Sequence, residues 1–547
     1  MKQFILLIFI SFFISLNSFS QNLIPYKWKT ISVENYDFHD TIAFNVSWER
    51  QGLCNLAGNT ILENNFIIPK KLYKKISTNN LKLTIDVKSK IDSLVLNGVK
   101  IVENVKSAIV DVSPKNILVN NNNIKLYAKD FEYTGGKCKN IIKLEPSNST
   151  AEVNIFIEPK DHLFTTSTPQ FDIKWISDYN QFLEIEVYNE FCKKVYSENR
   201  KIKAGEETST IELNGLKPGF YECRIYLKGQ DNAECVEWIA YQPEKISCQK
   251  TINDNYYEFW QQSISELDLI EPYYQIKKVD SLCVGLRDGY IVEFQSLDNI
   301  PIYSYLFLPK NNKPCPVILH VPGYGYGFED VMKYSNKNQD IAEMFLCVRG
   351  HGLSKNYFNP EKTDCGIWGH EIFDLKNNSY RGIYMDCVRA VDFIVQDYHF
   401  DNSKIAVMGG SQGGGLALAT ASLCKANISV CGYFDPFICD VNHFLECRKM
   451  CKVEINNFLK YYNNSHTYDE AIEVQKMIDV LDMSRQIECS TLFVTSLFDD
   501  DCPPHVGFSA YNQLKGEKQF IIYPNKGHID TNYYDDMIKY IRNKFGL

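Results

Sequence analysis

The chain runs Lys404-Ile405-Ala406-Val407-Met408-Gly409-Gly410-Ser411-Gln412-Gly413-Gly414-Gly415-Leu416-Ala417-Leu418-Ala419, an apolar run, a glycine-rich turn and a second apolar run. Ile405 to Met408 has the length and continuity of a buried strand, and Leu416 to Ala419 opens a helical pattern. Between them stands G-x-S-x-G, with Ser411 at its centre. Glycines are needed here because the turn is too sharp for side chains beside its backbone, and the following helix must pack close to the strand. Such a turn lifts the Ser411 hydroxyl clear of the sheet and aims a helix N-terminus at it.

Working outward, further apolar runs at Val317–Val321 (broken only by His320), Met344–Val348, Leu492–Val494 and Phe520–Tyr523 alternate with helical periods such as Tyr384, Val388, Val391 and Val395. Buried strands separated by helices predict a parallel sheet covered on both faces, with function at the carboxyl ends of its strands. With the turn at Ser411 this is the pattern of an α/β-hydrolase, whose triad follows in the order Ser, acid, His. A serine hydroxyl is barely nucleophilic without a base. His528 follows the strand Phe520–Tyr523 and is the expected base; His505, beside Pro503-Pro504, is expected at the surface. Asp499 comes first off the preceding strand and is the expected acid. Asp500 and Asp501 read as solvated loop charges, and Asp435, after the strand next to the turn, as a poorer alternative acid. The oxyanion hole needs two backbone N–H groups. One is expected from Gln412, and the other from the Pro322–Gly327 loop, where Tyr324 lies between glycines.

These residues resemble carbohydrate esterase family 7, the acetyl xylan esterase and cephalosporin-C deacetylase family. The resemblance covers about 254–547. It rests on Gly-Gly-Ser411-Gln412-Gly-Gly, on Asp386-Cys387-Val388-Arg389-Ala390-Val391 upstream, and on Asp499-x-x-Cys502-Pro503-Pro504 with Ala510-Tyr511-Asn512 downstream. It implies removal of acetyl groups from sugars, with Ser411, Asp499 and His528 as the triad, Tyr324 and Gln412 as oxyanion donors, and no metal or cofactor. Two motifs depart: the family's Arg-Gly-Gln is here Arg349-Gly350-His351, and its His-Glu is His528-Ile529. Neither removes a triad member. Arg349 is expected to support the loops near the triad, and His351 to be a pocket residue or inert. The stretch 440–485 reads as a helical insertion carrying the pocket walls, with Phe444, Ile455 and Phe458 as lid or core residues.

The remainder is β-rich. Residues 21–145 predict a jelly-roll-like, galactose-binding-like domain: Leu81, Leu83, Ile85 and Val87 alternate with polar residues, Ser93-Leu94-Val95-Leu96 runs into the hairpin signal Asn97-Gly98, and Ile124–Tyr127 follows an asparagine run taken as loop. Trp28 and Trp48 suit sugar stacking or core, and the domain itself a spacer more readily than a sugar-binding module. A linker is expected over 145–150. Residues 151–245, with alternating runs at Phe171–Trp175, Leu183–Val187 and Tyr221–Ile225, predict an immunoglobulin/fibronectin-like β-sandwich. The expected fold is thus multidomain, with two N-terminal all-β domains followed by an α/β-hydrolase domain over 254–547.

Residues 1–20 form a basic start, a thirteen-residue apolar core and a small-x-small exit, which predicts a cleaved signal peptide and export to the periplasm or medium; no later segment is long and apolar enough to span a membrane. A net charge of −9 with no basic block disfavours nucleic acid. The 18 cysteines sit largely in apolar runs, so they read as packing residues, without the paired CxxC motifs of a zinc site. Cys502 stands beside the chemistry without being its nucleophile. The expected partner is an acetylated carbohydrate, and the oligomeric state is open. Two rival readings remain: a serine peptidase of the prolyl oligopeptidase type, which should carry a propeller that is not seen, and a catalytically inactive glycan-binding protein on a hydrolase fold.

Overall fold

A computed structural model of the chain describes residues 24, 27–33, 41–43, 59–68, 70, 73, 81–128, 141–146, 151–177, 180–227, 233–248 and 255–547, the last span apart from 311–313, 326, 329–330, 334–337, 361–362, 364, 398 and 529–530. The expected signal peptide, Trp48 and Ile529 lie outside these residues. None of the described helices is long and apolar enough to cross a membrane. The chain divides into a β-rich unit, residues 1–217 with 221–241, and a second unit, residues 218–220 with 242–547.

The β-rich unit holds two separate cores. The first belongs to a seven-stranded sheet in the order Thr41–Ala43, Lys27–Val33, Thr60–Ile68, Asn120–Ala128, Leu81–Leu96, Val99–Val112, with Ile141–Pro146 also pairing with Leu81–Leu96. Its period-2 pattern puts Leu81, Leu83 and Ile85 inside, and Trp28 is buried with them. Asn97 and Gly98 both take positive φ, 50° and 81°, as a two-residue turn between right-twisted strands requires.

Two expectations fail here. The asparagine run is strand, because its side chains complete the ladder instead of leaving it. Asn122 Oδ1 accepts from Leu118 N and Asn97 Nδ2, both at 2.8 Å, and its Nδ2 donates to Leu118 O at 2.9 Å. Asn123 Nδ2 donates to Glu63 Oε1 at 2.7 Å. The linker expected from 145 starts later: Glu145 and Pro146 still pair with Lys82 and Leu81, and a proline at a strand's end removes no ladder bond that matters.

The second core lies between a three-stranded sheet, Gly205–Glu212, Gln170–Ser177, Ala151–Phe156, and a five-stranded one, Lys194–Ile202, Gln181–Asn189, Gly219–Leu227, Ala233–Tyr241, Leu163–Phe164. Phe171, Ile173, Trp175, Leu183, Ile185, Val187, Cys223 and Ile225 fill it. Where the chain enters Gly219–Leu227, Tyr221 Oη donates to Lys217 O at 2.7 Å and accepts from Lys217 N at 3.1 Å, pinning the preceding turn.

The second unit is built on a nine-stranded sheet ordered Gln275–Lys278, Arg287–Gln295, Pro301–Pro309, Ala342–Cys347, Cys315–His320, Phe400–Gly410, Val430–Phe434, Ser490–Ser496, Lys518–Tyr523. The first four strands are antiparallel neighbours, and from Ala342–Cys347 onward every pairing is parallel. Ser379–Gln396, Gln412–Leu423, Pro504–Gln513 and Tyr533–Phe545 are the helices that return the chain between or after these strands. The insertion is helical as expected, over Val441–Cys447, Lys449–Tyr461, Tyr468–Ile478 and Val480–Ser484, and Phe444, Ile455 and Phe458 are all buried. All cysteines among the described residues are free thiols.

Tyr221→Phe should cost about 1 kcal/mol, the net worth of a typical lost hydrogen bond, and should speed hydrogen exchange at the Lys217 amide. Unchanged exchange there would show that the tyrosine does not hold the turn.

Candidate active site

Phe400–Gly410 lies mid-sheet between Cys315–His320 and Val430–Phe434 and leads straight into the helix Gln412–Leu423. Ser411 joins them at φ 59°, ψ −126°, a conformation that persists only when its surroundings hold it. They do: Ser411 N donates to Phe434 O at 2.9 Å, and Ser411 O accepts from Gly414 N at 2.9 Å and Phe437 N at 3.0 Å. A Cβ on Gly413 would lie 2.6 Å from Val321 O, and one on Gly414 2.5 Å from Phe434 O. The glycines are therefore required by close approach of the helix to two neighbouring strands. The first N–H groups of a helix have no partner inside it, so positive partial charge gathers beside the serine.

Asp499 and His528 meet as the spacing led one to expect. His528 Nδ1 donates to Asp499 Oδ2 at 2.6 Å, while Asp499 Oδ1 accepts from Asp501 N at 2.9 Å and Cys502 N at 2.8 Å. Burial pushes the Asp499 carboxyl up, but the His528 charge and hydrogen bond outweigh it and hold it below the usual value. For His528 burial favours the neutral ring, and the facing Asp499 reverses this and raises the imidazole. With Nδ1–H committed to the carboxylate, Nε2 is the nitrogen left to take a proton. The His528 ring packs on Phe434 at 5.7 Å between centroids, the residue whose carbonyl holds Ser411 N.

Of the other carboxylates, Asp501 is not a free loop charge: it faces Arg448 Nη2 at 3.4 Å. Asp435 is fully buried beneath Asp499 and accepts from Thr495 Oγ1 at 2.6 Å and Ser496 N at 3.1 Å. His505, expected at the surface, is buried and stacked on His443 at 3.4 Å between centroids; its helix packs inward, so its position beside prolines misled. The Cys502 thiol is buried, and burial pushes it well above the ordinary range, so it stays a protonated, inert group.

Gln412 also ties the site together through its side chain. Its side chain is buried, with Oε1 accepting from Tyr380 Oη at 3.0 Å and Nε2 donating to Pro322 O at 3.4 Å. Nε2 also meets His351 Nε2 at 3.0 Å, and His351 Nδ1 meets Arg349 O at 3.1 Å. An Nδ1–H donated to that carbonyl leaves Nε2 as the acceptor for Gln412, so His351 is a clamp in its neutral form. This role was hidden in sequence; its one signal was that His351 replaces a family Gln two residues after Arg349. Arg349 is buried and grips Asp386 through Nε at 3.0 Å and Nη2 at 2.8 Å, with Nη2 also donating to Leu297 O at 3.1 Å. Its guanidinium thus ties its own loop to the helix Ser379–Gln396. Tyr324 is exposed, and its Oη accepts from Ile367 N at 3.2 Å and Trp368 N at 3.4 Å. Trp368 in turn packs edge-on against Phe437 and Phe458, at 5.4 and 5.5 Å. Phe437 packs on Phe444 at 5.6 Å. The insertion therefore contributes Phe444 and Phe458 to an aromatic wall that reaches, through Phe437, the backbone of Ser411.

The acetyl xylan esterase (AXE1) family model matches residues 241–544. The chain is 26% identical over 363 residues to acetyl esterase Axe7A of Xylanibacter ruminicola, covering 61% of this chain and 77% of that one. Among solved structures, the acetyl xylan esterase of Paenibacillus sp. R4 is 25% identical with a TM-score of 0.48, covering 55% of this chain and 98% of that one. Acetyl xylan esterase 1 of Thermoanaerobacterium sp. JW/SL YS485 is 21% identical with a TM-score of 0.48, covering 56% and 98%. With more than half of its length matched by the family model, the chain belongs to the acetyl xylan esterase family and is a carboxylester hydrolase.

Proposed function

We propose that this esterase removes O-acetyl groups from plant-type polysaccharides or their oligosaccharides by a serine double displacement. The observation that carries the reading is the 2.6 Å bond from His528 Nδ1 to Asp499, which leaves Nε2 as the base beside the strained turn that presents Ser411. His528 takes the Ser411 proton, and the hydroxyl oxygen attacks the acetyl carbonyl. The oxyanion rests on the backbone N–H groups of Tyr324 and Gln412. The sugar alcohol leaves with the proton from His528, and water then attacks the acetyl-enzyme by the same route in reverse. Every proton moves between Ser411, His528, the alcohol and water, so the chemistry asks for no metal or cofactor. Arg349 acts on loop geometry, being spent on Asp386 and Leu297 O.

Membership of the family and the likeness to the acetyl esterase of Xylanibacter support the acetyl ester. We read 21–145 as a jelly-roll-like spacer and 151–245 as an immunoglobulin/fibronectin-like sandwich. The three-plus-five strand order and the Tyr221 corner support the second assignment. The first twenty residues support export, where polymeric substrates are met.

Ser411→Ala should reduce turnover of an aryl acetate to background while the thermal melt stays put; retained turnover would sink the assignment. Acetylated xylo-oligosaccharides should release acetate, and cleavage of peptides in their place would favour the peptidase reading. Asp499→Asn should lower kcat by on the order of 10³- to 10⁴-fold. The base works only when neutral, so kcat/KM rises with pH. Because the Asp499 charge raises His528, Asp499→Asn should also move that ascending limb to lower pH, and a limb that stays in place would disprove the pairing.

A further inference from the structure

Asp435 and Asp499 are two buried carboxyl groups held on the same residue: Asp435 Oδ2 accepts from Ser496 N at 3.1 Å and Asp499 N donates to Ser496 O at 3.2 Å, and each shifts the other's acidity. Two carboxylates that act on one another away from water do not both stay charged, so one of the pair keeps a proton. The donors on each side decide which one keeps it. Asp499 receives two backbone N–H groups, from Asp501 and Cys502, and the imidazole N–H of His528, a set that stabilises an anion. Asp435 receives one backbone N–H, from Ser496, and one hydroxyl, from Thr495.

We propose that Asp435 is an uncharged carboxylic acid that donates its proton in a hydrogen bond to Asp499, making it the positioning residue of the triad acid. The proposal rests on Asp499 being that acid. The groups facing the pair agree with it. Tyr433, on the same strand as the approach to Asp435, and Cys502 are both buried and held in their neutral forms. His528 is on the far oxygen of Asp499, and Arg448 is engaged with Asp501. Burial, and next the Asp499 charge, push the Asp435 carboxyl well above the carboxylate range. The backbone is strained to place it: Asp435 sits at φ 28°, a conformation kept where function or packing demands it. Its N–H donates to Val494 O at 3.3 Å, and two residues on Phe437 N reaches Ser411 O. One turn therefore seats both the nucleophile and the support for its acid. With Asp435 donating, Asp499 accepts four hydrogen bonds, its carboxylate plane is fixed, and Oδ2 points at His528.

The test uses the full-length protein with 4-nitrophenyl acetate, comparing Asp435→Asn, Asp435→Ala and Asp499→Asn. Asparagine is neutral and keeps an N–H donor, so Asp435→Asn should stay within about tenfold of the parent in kcat and leave the ascending pH limb in place. Alanine removes the donor, so Asp435→Ala should lose about 10- to 100-fold in kcat with KM little changed, and its limb should move to higher pH. An Asp435→Asn limb displaced to lower pH by about one unit would mean that an anion had been removed, and overturns the proposal. Equal losses in the asparagine and alanine variants overturn it too, since mere packing would explain them. An infrared difference spectrum, parent minus Asp435→Asn, should show a protonated-carboxyl C=O band near neutral pH, and its absence refutes the proposal even if the alanine variant does not fold. If Asp499→Asn remains active while Asp435→Asn is dead, the acid itself has been misassigned, a failure distinct from the others.

Discussion

A helix that begins where a strand ends, with one serine between them, depends on how closely two backbones can approach. The carbonyls of Val321 and Phe434, from the strands on either side, fill the space where Cβ atoms of Gly413 and Gly414 would stand. That contact lets Ser411 N reach Phe434 O and lets Phe437 N return to Ser411 O. The strained φ/ψ of Ser411 is thus held from two sides, and the helix begins directly beside it. Larger residues at the two glycines would drive the helix off the sheet, and the other parts of the site would lose their reference point.

The loops around the turn are tied to it as well as to one another. Gln412 bonds the loop after Cys315–His320 through Pro322 O, the loop after Ala342–Cys347 through His351, and the helix Ser379–Gln396 through Tyr380. Arg349 fastens the His351 loop a second time, to Asp386 on that helix. Three segments that arrive from different parts of the sheet therefore share one buried amide. Such a network is favourable only when all its members are paired. The His351 tautomer set by Arg349 O meets that condition where the related family's motif has Gln.

Much of this was legible in sequence because its causes are local. The strand–turn–helix pattern at Ser411, the apolar runs of the sheet and the Asn97-Gly98 hairpin each follow from neighbouring residues, and each formed. The meeting of Asp499 with His528 was legible by order, because a parallel sheet places the ends of successive strands together. What was not legible depends on contacts between distant segments. The asparagine run looked like loop until Asn122 was seen completing the hydrogen bonds of Leu118, 4 residues away, and Asn97, 25 away. His505 looked exposed because nothing in its own segment shows His443 stacking on it. His351 looked optional because its partner is 61 residues away.

Asp435 and Asp499 show the same limit in chemical form. Both are aspartates that follow a strand of one sheet, and composition and spacing do not tell a charged acid from a neutral one. The difference lies in which donors the fold supplies. Asp499 sits where the chain turns sharply enough to offer the N–H groups of Asp501 and Cys502 to one oxygen, leaving the other for His528. Asp500 and Asp501 are past that turn, and Asp501 has turned toward Arg448 instead. Asp435 lies one strand inward, where the neighbouring strand offers only a hydroxyl and a single amide. The order of strands in the sheet therefore assigns charge as well as position: the carboxyl with more N–H groups is the anion, and the one beneath it is left to keep a proton and pass its hydrogen bond upward.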